Sequence, residues 1–389
     1  MPDLQSAAEA RLASLSKGAA EWSDRGSAVR QAAREGFASG EWPAQVVEIA
    51  LDNALLDAPA VLSDQFKNAT WREHSTQRKK VLAILPGNVI GPTLATVYCA
   101  AAAGATLLLK SSSRELRLAE IVADQFSRLA HEFDSTIAAM RWSGGDEDFE
   151  AKIFRSVDRI VAFGSDETIA DIKRRVPPTV DIVGYGYGYS VGFIANDADT
   201  AAATAAAQDV ALFDQRGCLS PQTIYVEGDE AKAILFAHAL RAELARLSDV
   251  IPRAQAGDAE RAAAAEFVRR LRVRALPPVT HALDTVLVGP HASGVPEFVV
   301  GVEVFGEPVC AGFGRIVIVK PAPSAAAVTR ALADYGVHLD TIGIAGSVPG
   351  PEAAFAGCTP ARICRLGEMQ RPPFGYRPRI ADFMDGLAA

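Results

Sequence analysis

The sequence predicts an α/β protein built from two doubly wound domains around a cleft and preceded by a helical N-terminal segment. Continuous apolar runs, such as residues 81–85, are typical of strands that are covered on both faces. These runs alternate with helical patterns, which is the order of a parallel sheet flanked by helices. The chain has 389 residues, more than one domain usually contains. We therefore expect a helical segment at 1–79, one doubly wound domain at 80–189, a second at 190–370 and a tail at 371–389.

The first 66 residues carry Ala, Leu, Glu and Arg at helical spacing. Glycines and prolines at 26, 40, 43 and 59 interrupt the pattern, so we expect several short helices and no single long one. A helical segment ahead of a doubly wound domain can act as a cap or as one wall of a substrate site.

In the first doubly wound domain, strands and helices alternate until a glycine- and tyrosine-rich segment at 184–190, where we place the domain crossover. Its glycines are spaced G-x-G-x-G, so the G-x-G-x-x-G spacing of a dinucleotide-binding turn is not met. We interpret the segment as a hinge whose tyrosine rings pack on one side. The predicted strands are 81–85, 106–109, 138–142, 159–163 and 180–183, and the predicted helices are 92–103, 114–132 and 166–175.

The second domain continues the alternation and carries Cys218 between its first helix and the following strand. Proline and arginine accumulate at 371–379, which predicts a tail that lies across the surface or a partner. The predicted helices of this domain are 199–212, 229–247, 257–271 and 324–336, and its predicted strands are 223–226, 298–305 and 315–319.

Composition and charge exclude several classes of protein. A net charge of −8 and a pI near 5.4 argue against a general nucleic-acid or anionic-membrane surface. The five cysteines are widely spaced without a C-x-x-C pair, so neither a disulfide framework nor a metal site is expected. The N-terminus lacks the basic and apolar regions of a signal peptide, and no apolar run reaches 18 residues. We expect a cytoplasmic protein without a membrane span.

Cys218 has the setting of a nucleophile. Gly217 allows a sharp backbone turn just before it, and Leu219 is expected to begin a helix, whose start would favour a thiolate. Such a thiolate attacks carbonyl carbons and can form a thioester with an acyl group. The alternative is a small buried residue without chemical function.

Two further motifs follow predicted strands, at the sheet edge where ligands of doubly wound folds bind. Asn88 follows the strand 81–85, and its amide can donate to a developing oxyanion or cap the next helix. Gly164 and Ser165 follow the strand 159–163. The helix that starts there can hold a pyrophosphate, although Ser165 also fits an ordinary helix cap.

Lys110 comes at the end of the strand 106–109 and is followed by Ser111, Ser112, Ser113 and Arg114. A lysine with hydroxyls and an arginine can hold ribose oxygens and a phosphate. A carboxylate at position 113 would repel a 2′-phosphate, whereas serine and arginine tolerate or attract one, which favours NADP over NAD. The alternative is a solvated helix start capped by Ser113.

Six short motifs follow one another along residues 80–370. They are Pro86-Gly87-Asn88-Val89 with Gly91-Pro92, Leu109-Lys110-Ser111-Ser112-Ser113, Phe163-Gly164-Ser165-Asp166-Glu167-Thr168, Tyr185-Gly186 with Ser190, the stretch 214–222 around Cys218, and the stretch 339–346. In this order they resemble the aldehyde dehydrogenase superfamily. They are most similar to its acyl-CoA reductase family, which is typified by the fatty-acid reductase subunit of bacterial luminescence systems.

The resemblance implies an aldehyde-dehydrogenase-like fold and a role for each matching residue. Cys218 would be the nucleophile and Asn88 an oxyanion donor beside the Cys218 main-chain N–H. The cofactor NADPH would be bound in the domain 80–189, and we expect a homo-oligomer. The residues implied in cofactor binding are Lys110, Ser112, Ser113 and Arg114 at the adenosine ribose, Gly164 and Ser165 at the pyrophosphate, and Glu303, in a Glu-x-Phe-Gly motif, at the nicotinamide ribose.

The implied activity is NADPH-dependent reduction of an acyl thioester, from acyl-CoA or an acyl carrier, to an aldehyde. Hydrolytic aldehyde dehydrogenases have a glutamate base at the place of Tyr185, and no carboxylate is expected there in this chain. Without such a base the Cys218 thioester is spared from water. Two alternatives stay open: an aldehyde dehydrogenase acting on free aldehydes or acyl phosphates, and a nonenzymatic scaffold of the same fold.

Overall fold

In a computed structural model, the chain divides into two units. The first unit comprises Met1–Gly40, Val47–Tyr187 and Pro373–Ala389, and the second comprises Glu41–Val46 and Gly188–Pro372. The assignment of cofactor binding and catalysis to separate domains stays a prediction. The structure describes residues 4–38, 42–67, 79–87, 89–112, 117–129, 136–142, 144–274, 285–292, 295–309, 314–336 and 338–383.

Helices form the N-terminal segment, as the spacing of its apolar residues predicts. They are α1 (Leu4–Ser23), α2 (Ala28–Ala38), α3 (Ala44–Asn53) and α4 (Ala58–Lys67). Trp22 at the end of α1 is fully buried, and its indole Nε1 donates to Gln125 Oε1 over 2.8 Å. This bond ties the N-terminal helices to the core of the first unit.

A five-stranded parallel sheet, in the order β3-β2-β1-β4-β5, forms the centre of the first unit. The chain runs outward from β1 to β3 and then returns to β4, so the strand order reverses between β1 and β4, where doubly wound folds bind ligands. The strands are β1 (Lys80–Ile84), β2 (Thr106–Lys110), β3 (Ile137–Met140), β4 (Arg159–Phe163) and β5 (Asp181–Tyr185).

Four helices connect these strands: α5 (Gly91–Ala103), α6 (Leu118–Leu129), α7 (Glu147–Arg155) and α8 (Asp166–Arg175). The polar helix α7 was not predicted from the sequence. Its start is nevertheless signalled by Asp146, whose carboxylate accepts the main-chain N–H of Phe149. The side chain of Phe154 from this helix packs with Leu82 and Ile160 of the sheet.

A seven-stranded sheet forms the second unit in the order β14-β13-β6-β7-β12-β11-β8, with only β8 antiparallel to its neighbour. Its strands are β6 (Tyr189–Ile194), β7 (Pro221–Glu227), β8 (Thr285–Val288), β11 (Val299–Val302), β12 (Ile316–Ala322), β13 (Leu339–Ala345) and β14 (Arg362–Arg365), and β9 (His291–Ala292) pairs with β10 (Val295–Pro296). The helices are α9 (Ala201–Ala211), α10 (Glu230–Val250), α11 (Asp258–Arg274), α12 (Ala325–Tyr335) and α13 (Pro351–Ala354).

The tyrosines of the glycine- and tyrosine-rich segment do not pack together, which corrects the expectation of a hinge with its rings on one side. Tyr185 is half-buried and stacks on Phe163 with a centroid separation of 4.9 Å. Tyr187 is exposed, and Tyr189 is fully buried against the edge of Tyr335. The three rings differ in burial and in packing partners because the segment joins strands of two different sheets. β5 ends at Tyr185, and β6 begins at Tyr189.

The C-terminal segment packs against the first unit, to which it belongs. The Cys99 thiol of α5 donates to the Pro378 carbonyl, and Arg159 at the start of β4 donates to the Asp382 carbonyl over 2.9 Å. The side chains of Phe374 and Phe383 are buried. The tail predicted from its proline and arginine content is therefore an integral part of a domain core.

Candidate active site

Cys218 lies in a turn that leads directly into β7, and no helix begins at Leu219. The expected helix start is therefore wrong, because Pro221 opens a strand whose residues pair with β6 and β12. The turn is tight: the Ser220 N–H donates to the Gly217 carbonyl over 3.3 Å. The half-buried Cys218 thus stands at the amino edge of β7 in the second sheet.

A left-handed backbone segment precedes this turn. Phe213, Asp214 and Gln215 have φ values of 59°, 48° and 57°. None of them is glycine, and each such residue costs on the order of 1–3 kcal/mol, so the surrounding contacts must hold the segment in place. Backbone strain of this kind concentrates where a side chain has to be aimed.

Buried side chains of the segment itself supply those contacts. Asp214 Oδ1 accepts from Arg315 Nε over 2.6 Å, and Asp214 Oδ2 accepts the Ala254 N–H over 2.8 Å. Gln215 bridges two strands, since its Oε1 accepts the Ile316 N–H at 2.6 Å and its Nε2 donates to the Pro221 carbonyl at 2.9 Å. Hydrogen bonds of Asp214 and Gln215 therefore fix the backbone that leads to Cys218.

Arg216, which directly precedes Gly217, is the third anchor. Its guanidinium lies 5.0 Å from the centroid of the Trp42 ring and pairs with Glu260 at 3.0 Å. The Trp42 ring also meets Phe213 edge to face at 5.7 Å. Trp42, which belongs to the second unit, thus packs on the residues leading to Cys218.

Ser190 fixes the Cys218 main chain from the neighbouring strand. Its hydroxyl donates to the Cys218 carbonyl over 2.6 Å and accepts the Thr341 N–H over 3.1 Å. The side chain is fully buried, so neither bond is replaced by water. One serine of β6 therefore joins the Cys218 turn to β13.

The other described cysteines lack this setting. Cys99 is fully buried and burial raises the pKa of its thiol well above the ordinary value. Burial likewise raises the pKa of Cys358 and of Cys364 to about 11. These thiols stay protonated at neutral pH and are poor nucleophiles.

Glu303 follows β11 and is buried together with a lysine of the next strand. Its carboxylate pairs with Lys320 Nζ at 3.2 Å, and its N–H donates to the Val319 carbonyl over 3.0 Å. The aromatic residue of the Glu-x-Phe-Gly motif, Phe305, meets Tyr225 of β7 edge to face at 6.2 Å. Both residues flank the second sheet: Cys218 precedes β7 at the amino edge, whereas Glu303 follows β11 at the carboxyl edge, because β7, β12 and β11 run parallel.

Lys110, Ser112, Gly164 and Ser165 lie at the carboxyl edge of the first sheet, as expected from strand ends. Lys110 Nζ lies 5.2 Å from the centroid of the Trp142 ring, and burial lowers the lysine pKa while the charge of Glu150 raises it. Asn88, Ser113 and Arg114 lie outside the described residues.

Ser165 is the N-cap of α8. Its hydroxyl accepts the Thr168 N–H over 3.2 Å, which is the capping interaction named as the alternative. Capping leaves the first N–H groups of the helix at the sheet edge, so the capping and pyrophosphate interpretations are compatible.

Ser111 belongs to the predicted Lys110 motif but was not singled out as a cofactor-binding residue. Its hydroxyl is buried, and among the described residues it has no hydrogen-bond partner. An unpaired buried hydroxyl costs free energy unless a ligand or water completes it.

A carboxylate does lie at Tyr185, contrary to expectation. The tyrosine hydroxyl donates to Asp382 of the C-terminal segment, which is too far along the chain for the local motif to reveal. Asp382 also accepts the Arg379 N–H over 2.7 Å and pairs with the Arg379 guanidinium at 3.1 Å. Its carboxylate oxygens are therefore engaged. Burial, with the nearby Asp382, raises the pKa of Tyr185 well above its ordinary value.

Within the described residues, no group of three or more His, Cys, Asp or Glu side chains is arranged to hold a metal ion. None of the helices described is both long and apolar enough to cross a membrane.

Solved structures of similar fold include aldehyde dehydrogenases. A NAD-dependent benzaldehyde dehydrogenase from Corynebacterium glutamicum superposes with a TM-score of 0.71 at 15% identity, covering 97% of this chain and 84% of that one. Aldehyde dehydrogenase 21 from Physcomitrella patens superposes with a TM-score of 0.72 at 15% identity, covering 97% of this chain and 85% of that one. The expected aldehyde-dehydrogenase-like fold is confirmed.

Two relatives with a related sequence carry the same description. The long-chain acyl-protein thioester reductase of Photorhabdus laumondii is 30% identical over 188 residues, 47% of this chain and 39% of the relative. That of Aliivibrio fischeri is 29% identical over 185 residues, 46% of this chain and 38% of the relative. The match thus spans about two fifths of each relative. The family model described as Acyl-CoA reductase (LuxC) matches residues 44–377, and the chain therefore belongs to that family.

Proposed function

We propose that this protein reduces an acyl thioester to an aldehyde with NADPH through an acyl-enzyme on Cys218. The observation that carries the proposal is the half-buried Cys218 on a turn held by Ser190 and by the left-handed segment before it. The match to the acyl-CoA reductase family supports the reaction class. The thioester donor is acyl-CoA or an acyl-carrier protein.

Cys218 carries the covalent step. Its thiolate forms a bond to the carbonyl carbon of the substrate, and the bond from that carbon to the donor sulfur breaks, so the donor leaves as a thiolate. The oxygen charge that develops would be held by the Cys218 main-chain N–H and by Asn88. In the final step Cys218 Sγ departs with the electron pair of its bond to the same carbon, and the aldehyde is released.

NADPH, when bound, supplies the hydride that brings the acyl group to the level of an aldehyde. The residues of the first unit fit its adenosine end. Lys110 offers a cation at the sheet edge and Ser111 a buried hydroxyl that, among the described residues, has no partner. Ser112, Ser113 and Arg114 complete the proposed ribose and 2′-phosphate contacts, Gly164 and Ser165 the pyrophosphate contact, and Glu303 the nicotinamide ribose contact.

Reduction is favoured over hydrolysis because the carboxylate that the structure describes at the Tyr185 hydroxyl is already bound by other groups. The carboxylate that lies there, Asp382, is bound by Tyr185 and Arg379. A carboxylate that is already bound in this way is a weak base toward water.

The test is a mass measurement of the intact protein after exposure to acyl-CoA of increasing chain length without NADPH. We expect one acyl group per chain on wild type and none on Cys218→Ala. The matched control is Cys364→Ala, which removes a half-buried cysteine from β14 and should be acylated like wild type. Acylation that persists in Cys218→Ala would refute the nucleophile.

A substrate panel then tests the reaction class. We expect NADPH oxidation with acyl-CoA or acyl-carrier thioesters, abolished in Cys218→Ala and kept in Cys364→Ala. Turnover of free aldehydes or acyl phosphates in place of thioesters would favour the oxidative or phosphate-reducing alternative. No acylation and no turnover with any substrate would favour the scaffold.

A further inference from the structure

A tryptophan stands beside the lysine that ends β2. β3 pairs with β2 in parallel, with Lys110 opposite Met140, so Trp142 lies two residues beyond the end of β3 at the same edge of the sheet. The Lys110 ammonium is 5.2 Å from the centroid of the indole ring. This distance is within the range of a cation–π interaction, for which tryptophan is the strongest aromatic partner.

The indole ring is itself held by a buried carboxylate. Trp142 Nε1 donates to Glu150 Oε1 over 2.9 Å, and the ring meets Phe149 edge to face at 5.4 Å. Glu150, on α7, is only 3% exposed. The ring therefore has one fixed orientation at the end of the strand.

The charge of Glu150 is balanced by an arginine of α8. Arg175 Nη1 lies 2.5 Å from Glu150 Oε2, and its Nη2 pairs with Asp171 at 2.8 Å. Among the described residues no carboxylate forms an ion pair with Lys110. A ring face fixes the ammonium without neutralising it, so the lysine keeps its charge and its N–H donors for an anion.

We propose that Trp142, oriented by Glu150, is a positioning residue that fixes Lys110 for the 2′-phosphate of the cofactor and so sets a preference for NADPH over NADH. This inference rests on the proposed function, because it takes the edge of the first sheet as the adenosine site. Trp142 and Glu150 act through Lys110 and need not touch the cofactor.

The test is calorimetric titration of the whole protein with adenosine 2′,5′-bisphosphate and with adenosine 5′-monophosphate, which differ only in the 2′-phosphate. We expect wild type to prefer the bisphosphate by at least about tenfold, as one charge-assisted contact provides. Trp142→Leu should reduce this preference by about fivefold to tenfold, the size of a partly desolvated cation–π contact. Its affinity for the monophosphate should change by less than about twofold.

Two further variants separate positioning from general damage. Trp142→Phe keeps an aromatic ring and is expected to retain part of the preference for the bisphosphate. It replaces Trp142→Leu as the test variant if the leucine variant does not fold. Glu150→Gln retains an oxygen that accepts the indole N–H and should keep the preference, whereas Glu150→Ala should reduce it. Met140→Leu, at the end of β3, is the matched control and should bind like wild type.

The outcomes distinguish this inference from the function it rests on. Equal affinity of wild type for the two nucleotides would overturn the proposed use of NADPH together with this inference. A wild-type preference that Lys110→Met removes, but that Trp142→Leu and Trp142→Phe both retain, would overturn this inference alone. Equal behaviour of Glu150→Gln and Glu150→Ala would overturn the role of Glu150.

Discussion

Asp209 is a buried acid on α9 that supports the segment after β14. Its carboxylate accepts the Gly367 N–H at 2.5 Å and the Met369 N–H at 3.1 Å, and the side chain is nearly inaccessible to water. The same segment reaches the Cys218 turn, because Gln370 Nε2 donates to Ser220 Oγ at 2.8 Å. Burial raises the pKa of Asp209 to about 7, against the opposing effect of the main-chain N–H groups.

The raised pKa makes the stability of the protein depend on pH. An ordinary aspartate has a pKa near 3.8, so between that pH and about 7 the folded chain holds a proton that the unfolded chain has lost. The stabilisation that Asp209 provides is therefore complete below pH 3.8 and is lost as the pH rises through about 7. We expect the free energy of unfolding of wild type, relative to Asp209→Asn, to fall between pH 5 and pH 7 and to level off near pH 8. Urea unfolding of both proteins at a series of pH values measures this difference in the free energy of unfolding. A difference that does not change with pH would contradict the prediction.

Single residues of the site differ in how visible they are in sequence. Cys218 could be proposed as a nucleophile because glycine and the surrounding motif are adjacent to it. Ser190 was part of a motif, but its bonds to Cys218 and Thr341 join positions far apart in the chain, so its role needs the fold. Asp382 gives no local signal, since only the packing of the C-terminal segment brings it to Tyr185.

The left-handed segment before Cys218 is a small element whose anchors include one buried ion pair. Asp214 and Arg315 are both buried, with Arg315 fully inaccessible and itself at a φ of 58°. Removing one partner of such a pair leaves a charge in a medium that cannot solvate it, which costs about 3–5 kcal/mol.

We therefore expect Arg315→Met to lower the free energy of unfolding by about 3–5 kcal/mol. If the variant folds, alkylation of Cys218 by iodoacetamide should also change, because the chain leading to the thiol is no longer held. The matched control is Arg246→Met, which breaks the exposed pair with Glu243 and should cost less than about 1 kcal/mol. Equal losses in the two variants would show that the buried pair does not hold the segment.

Among the elements, those with strong local signals were predicted well. β4 and α8 have the predicted bounds, because an apolar run is followed by a capping serine. The segment 213–215 could not be predicted, since non-glycine residues adopt positive φ only under tertiary constraint. β14 was missed because its two arginines, Arg362 and Arg365, hide the strand pattern at the edge of the sheet.

At the scale of the whole molecule, the C-terminal segment completes the first unit. Its last turn, Ile380–Phe383, lies against α5, and the Phe383 side chain is 1% exposed. We expect Phe383→Ala to cost about 3–5 kcal/mol, as removal of a buried phenylalanine usually does.

Hydrogen exchange shows which unit Phe383→Ala destabilises. In Phe383→Ala we expect protection to fall first in β1, β4 and α5 of the first unit, while β6 and β7 of the second stay protected. Tyr187→Ala removes an exposed ring from the first unit and should leave the pattern unchanged. A loss of protection that is equal in both sheets would mean that the segment does not stabilise the first unit in particular.

The divided first unit also sets an order for folding during synthesis on the ribosome. Its sheet is complete in sequence at Tyr185, but residues 373–383 emerge only after the whole second unit. At about 5–20 residues per second, that interval lasts for tens of seconds. During it, Cys99 and Arg159 lack the main-chain carbonyls that they bind in the finished protein. The second unit can therefore reach its native state first, and the first unit closes last.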